Sequence, residues 1–119
     1  MLPKPHRLPT PDIKQVMQRG RRLTSAELVL IYQENTIDTP RFAIVVPKRV
    51  DKRATARNRA KRLVREALRK LLPEMPGADG VFVVRNKFTS LKEAQRGIKG
   101  LALRIRVKDH NTQYENPTP

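Results

Sequence analysis

Residues 57–66 read RNRAKRLVRE. Advancing about 100° per residue from Arg57, the positions Arg57, Lys61, Arg65, Asn58, Arg69 and Arg62 fall within one arc of about 140°. Ala56, Ala60, Leu63, Val64, Ala67, Leu68 and Leu71 fill a second arc of similar width, at the i, i+4, i+7, i+8 spacing of a buried helix stripe. The segment therefore predicts an amphipathic helix from about Arg53 to Leu72, ended by Pro73 and the turn PEMPGADG. Its apolar side is expected to be buried, and its other side to present guanidinium forks and an ammonium to a polyanion.

Strand-like segments lie on both sides of this helix. ELVLIYQE at 27–34 and RFAIVVP at 41–47 are rich in β-branched and aromatic residues, and the polar stretch between them suits an antiparallel hairpin loop. A short edge strand fits Arg21–Thr24. After the helix, GVFVVRN at 80–86 reads as a strand buried on both faces. A first helix is expected to start at Thr10, with Pro11 in its first turn, and to stop at Gly20. A third helix carries a capping box, Ser90 with Glu93, and keeps an apolar period through Leu91, Ala94, Ile98, Leu101, Ala102 and Ile105. Residues 1–9, spaced by prolines, are expected to be extended and only partly ordered, and the polar tail DHNTQYENPTP to be disordered. The reading is one α+β domain over residues 1–108 with a tail at 109–119. Its order is α-β-β-β-α-β-α, an α-β sandwich containing a β-α-β unit.

The chain has 119 residues, 26 of them Lys or Arg against 11 Asp or Glu, giving a net charge of +15. Residues 48–70 hold eleven basic and two acidic residues, a surplus of nine, so the charge is concentrated. Such concentration, dominated by arginine, points to nucleic acid, because guanidinium binds phosphate bidentately and stacks on bases. Glu66 is read as a spacer that pairs with Arg62 or Lys70. An acidic membrane is a poorer fit for a basic helix bracketed by strands, and no apolar run approaches the roughly 20 residues of a membrane span. The absence of cysteine and of an apolar leader fits a cytoplasmic protein. No glycine-rich phosphate loop, carboxylate cluster or metal-ligand set is legible. His6 and His110 lie in the segments expected to be loose, away from any fixed partner. A small-molecule substrate site is not expected.

The segment Arg57, Asn58, Lys61, Arg62, Arg65, Glu66 resembles the signature helix of the bacterial ribonuclease P protein family. PHRLPTPDIKQVMQRGRRL is similar to that family's basic start, first helix and glycine-arginine turn. RFAIVVPKRVDKRATARNRAKR is similar to its strand, loop and signature helix, and GVFVVRNKFTSLKEAQRGI to its late strand and last helix. The resemblance covers roughly residues 3–107. It implies an unusual left-handed β-α-β crossover, where general chirality favours the right-handed form. It also implies a partner of a catalytic RNA that removes the 5′ leader from precursor tRNA using magnesium ions bound mainly by that RNA.

On this resemblance Arg57, Asn58, Lys61, Arg62, Arg65 and Arg69 would face RNA, with Lys48, Arg49 and Arg53 extending the surface. Ile13, Met17, Ile31 and Tyr32 would line a leader cleft that the family usually lines with aromatics, and Arg41, Lys48 and Arg85 would supply phosphate contacts. A non-catalytic RNA-binding protein of ribosomal type shares the composition, so the signature and its flanks alone separate the two. A DNA-binding regulator is disfavoured, since the helix lacks a helix-turn-helix lead-in.

Overall fold

The computed structural model describes residues 2–75, 77–87 and 90–110. Its elements are α1 (Thr10–Arg19), β1 (Arg21–Thr24), β2 (Leu28–Glu34), β3 (Arg41–Val45), α2 (Ala54–Leu71), β4 (Ala78–Val84) and α3 (Leu91–His110). The α+β class and element order agree with the sequence reading. The four strands form one mixed sheet in the order β1-β2-β4-β3. β1 and β4 pair antiparallel with β2, whereas β3 pairs parallel with β4 through the α2 crossover.

The expected hairpin between the second and third strands does not form. β4, apolar along its length, inserts between β2 and β3, which gives it partners on both edges and cover on both faces. The hairpin of the fold is instead β1–β2. Its turn is closed by Ser25 N–H donating to the Leu28 carbonyl at 2.8 Å and Leu28 N–H donating to Ser25 Oγ at 3.1 Å.

Strand alternation divides the apolar side chains between two faces. Leu30, Tyr32, Phe42, Phe82 and Val84 face α2 and α3 in the larger core. Ile31 and Val81 face the other way, under Val16 of α1 and Leu8. Gly80 sits opposite both Tyr32 and Phe42, and a Cβ there would lie 2.7 Å from the Phe42 ring. Its missing side chain makes room for Phe42, whose ring centroid is 5.3 Å from that of Phe82.

Two terminal expectations are revised. The first residues are ordered: Lys4–His6 form a 3-10 turn, Arg7 makes a parallel bridge to Phe42, and Leu8 N–H donates to the Phe42 carbonyl at 3.1 Å. Burial of Leu2 and Leu8, one in each core, ties the arm down along the free edge of β3. His6 is correspondingly fixed, its Nδ1 2.7 Å from the Pro40 carbonyl oxygen. At the other end α3 continues through His110, past the expected boundary at 108, and the rest of the polar tail lies outside the described residues. Gly20 does stop α1, but with φ of −73° it is not a left-handed cap. A Cβ there would lie 2.8 Å from Ile31 Cγ2, so close approach to the sheet requires glycine.

Candidate nucleic-acid interface

α2 buries Ala60, Val64, Ala67 and Leu68, the core of the expected stripe, with Leu63 and Leu71 packed at its border. Asn58, Arg59, Arg62, Arg69 and Lys70 are exposed. Arg57, Lys61 and Arg65 are half-buried, because the cationic arc begins beside the apolar stripe rather than opposite it. Their stems can cover apolar surface while the charged ends reach water. Ahead of the helix, Lys48 and Arg49 are exposed in a turn.

The predicted cations are not equivalent. Arg57 Nη1 donates to the carbonyls of Asp51 and Lys52 at 3.1 and 2.9 Å and so braces the entry to the helix. Arg53 is held on Asp51 by its Nε at 3.2 Å and Nη2 at 3.1 Å, while its own backbone N–H donates to the same carboxylate. The Arg53 hydrogen bonds keep the Asp51 carboxyl well below the usual carboxylate range. Arg69 pairs with Glu66 at 3.2 Å, replacing the expected Arg62 or Lys70 partner. Among the described residues Lys48, Arg49, Lys61, Arg62 and Arg65 have no carboxylate partner, and the buried Nε of Arg65 has no hydrogen-bond acceptor. This part of the arc is open to an external anion.

The second face of the sheet holds the expected cleft residues in a different arrangement. Thr24, Val29, Val83 and Val45 fall in one row across all four strands. The three valines are only half-buried, beside α1, where Ile13 is half-buried and Met17 is 39% exposed. Ile31 lies beneath α1 at 1% exposure and offers no surface. Tyr32 is a correction: it points into the opposite core at 3% exposure, as alternation requires of the neighbour of Ile31. The three aromatic residues among those described, Tyr32, Phe42 and Phe82, all sit in that core.

Arg41 is also corrected as a free phosphate contact. Its Nε and Nη2 donate to the two oxygens of Asp79 at 2.9 and 2.7 Å, and Asp12 of α1 lies 3.7 Å away. Asn35 Nδ2 adds a 2.8 Å hydrogen bond to Asp79 and another to the Thr39 carbonyl. Burial opposes ionisation of Asp79, but the hydrogen bonds from Arg41 and Asn35 and the Arg41 charge outweigh it, so its pKa lies below normal. The same hydrogen bond to Asp79 raises the pKa of Arg41. Sequence reading missed Asp79 by assigning it to a turn. The usable signal was a lone acid opening an apolar strand whose parallel partner opens with a lone arginine. Arg85 remains exposed, donating through Nη1 to the Ser25 carbonyl at 2.8 Å.

Among the described residues no group of three or more His, Cys, Asp or Glu could hold a metal ion, and Asp51 and Asp79 are both engaged by arginine. Nor, among the described residues, is any helix long and apolar enough to cross a membrane.

A mixed four-stranded sheet backed by a helix on which Lys61, Arg62 and Arg65 meet no carboxylate among the described residues defines a class, a protein built to bind nucleic acid. The sequence model of the family described as Ribonuclease P matches residues 2–106. The chain is 40% identical over 81 residues to the ribonuclease P protein component of Haemophilus influenzae, covering 67% of this chain and 68% of that one. It is 38% identical over 84 residues to that of Xanthomonas oryzae pv. oryzae, covering 71% and 58%. The RNase P protein from Thermotoga maritima superposes with a TM-score of 0.74 at 27% identity, over 82% of this chain and 96% of that one. The Staphylococcus aureus RNase P protein shares the fold at the same TM-score and 23% identity, over 87% and 96%. The chain belongs to the ribonuclease P protein family. It is thus a subunit of a ribonucleoprotein endoribonuclease and assists processing of the 5′ leader of precursor tRNA.

Proposed function

We propose that the outer side of α2 docks on the catalytic RNA of ribonuclease P while the open row on the other sheet face holds the precursor tRNA leader. The observation carrying this reading is that Lys61, Arg62 and Arg65, with Lys48 and Arg49 before the helix, have no carboxylate partner among the described residues. Phosphates are the natural counter-charge, and the half-buried stems of Lys61 and Arg65 restrict where those charges can go. Asn58, exposed on the same arc, supplies a donor and an acceptor for a sugar hydroxyl or base edge. Arg53 and Arg69, exposed on the same side, add charge toward RNA, while Arg57 braces the entry to the helix.

The leader lies over Val29, Val45 and Val83 against Ile13 and Met17, with Lys48 and Arg85 near its phosphates. Aliphatic contacts of this kind do not discriminate among bases as hydrogen-bonding sites do, so the grip is tolerant of leader sequence. Magnesium is held by the RNA, which performs the hydrolysis. The functional domain runs through the end of α3, the β3–α2–β4 crossover is left-handed, and the particle works in the cytoplasm.

The test mixes this protein with a bacterial ribonuclease P RNA at low magnesium and follows cleavage of precursor tRNA carrying a long or a single-nucleotide leader. Stimulation over RNA alone, greater for the long leader, is expected. A folded protein that stimulates neither substrate overturns the reading.

A further inference from the structure

A cleft of about 130 Å³ opens beside the start of α2, and of its lining only Arg53 has a part in the RNA contacts proposed above. Its floor is aliphatic: Val46 after β3, Val50 in the following turn, and Ala56 and Ala60 on α2. Its rim is cationic, with Arg53 and Arg59 from the helix side and Lys87 from the segment after β4. Asp51, its side chain only 10% exposed, holds Arg53 at 3.1 Å and Lys87 at 3.6 Å, while those two cations remain 73% and 65% exposed. One carboxylate thus fixes two exposed charges over an apolar pocket.

Resting on the RNA reading of α2, we propose that this cleft seats one unstacked nucleobase of the bound RNA. A nucleobase has apolar faces and is joined on both sides to phosphates, which matches an aliphatic floor inside a ring of cations. An apolar peptide side chain would fit the floor but not the surplus of positive charge at the rim. Arg59 at the rim is the i,i+3 neighbour of Arg62 on α2, so an RNA strand lying along the helix has a short path to the cleft. Asp51 acts as a positioning residue, since its oxygens are taken up by Arg53 and Lys87.

The test is the full-length Ala56→Leu variant, which fills the cleft and leaves every cation in place. Binding to a bacterial ribonuclease P RNA is measured across a salt series, and the complexes are probed with a reagent that methylates exposed base edges. Affinity is expected to fall about tenfold with an unchanged salt slope, because apolar contact is lost and phosphate contacts are not. One nucleotide protected by the original protein should become reactive. If no base gains reactivity, whatever the affinity, the proposal is overturned. Val50→Phe, which fills the cleft from the opposite wall, serves the same test if Ala56→Leu does not fold. Failure of the unaltered protein to bind the RNA would instead overturn the reading of α2 itself.

Discussion

Arginine stands in two settings in this molecule. On the outer side of α2, Arg62 is exposed and no carboxylate among the described residues meets it, whereas beneath α1 the Arg41 side chain is 22% exposed and forks onto an Asp79 side chain only 10% exposed. The first arrangement contributes little to folding and leaves a full charge for a partner. The second consumes its charge internally and joins α1, the β2–β3 loop, β3 and β4 at one end of the sheet. Composition cannot distinguish these uses. The placement of carboxylates can, because a desolvated pair broken on one side leaves an uncompensated charge, while an exposed one does not.

The largest effect expected from this contrast is on the buried pair. Asp79→Ala leaves Arg41 with only the looser Asp12 contact and the Asn35 amide one acceptor short, and should destabilise the fold by about 3 kcal/mol in urea unfolding. Loss below about 1 kcal/mol would place Arg41 in the same class as the α2 cations. The pH dependence should follow. The folded pKa of Asp79 lies below its unfolded value, so the stabilisation is complete above the ordinary carboxylate pKa and is lost as pH falls through the folded value. The acid limb of the stability curve should therefore be steeper for the unaltered protein than for Asp79→Asn.

Next in size is the effect of the unpaired cations on RNA. Arg62→Ala should leave stability within about 0.5 kcal/mol but weaken binding to ribonuclease P RNA about tenfold, and lower the salt slope by about 0.7–0.9. Arg65→Ala should do the same to binding with a larger stability cost, since its half-buried stem covers apolar surface. An unchanged slope in both variants would remove this side of α2 from the interface.

What could be read from the sequence follows the range of the interactions concerned. α2 and its arc were legible because a 3.6-residue period is local, and β4 because an uninterrupted apolar run has few other uses. The insertion of β4 between β2 and β3 was not, since a polar loop between two strands looks the same whether or not they become neighbours. Tyr32 was recoverable: alternation places it and Ile31 on opposite faces, and an apolar floor on one side excludes one of them. The N-terminal arm was misread because its prolines suggested an extended, loose segment, while Leu2 and Leu8 anchor it on separate cores. Arg41 was misassigned because its partner Asp79 is 38 residues away.

The smallest predicted change tests the contrast from its other side. Glu66 is the one carboxylate on the exposed ridge of α2, and both it and Arg69 are about half exposed, at 54% and 53%. A pair so solvated should contribute no more than about 0.5 kcal/mol to folding, so Glu66→Gln should leave unfolding nearly unchanged. Toward RNA the same substitution removes a repelling charge and frees Arg69 for phosphate. Affinity should rise two- to threefold, by about 0.5 kcal/mol, with a slightly steeper salt dependence. A fall in affinity would mean that Glu66 orients Arg69 for RNA instead of competing for it, and the ridge would then share some of the internal pairing that marks Arg41.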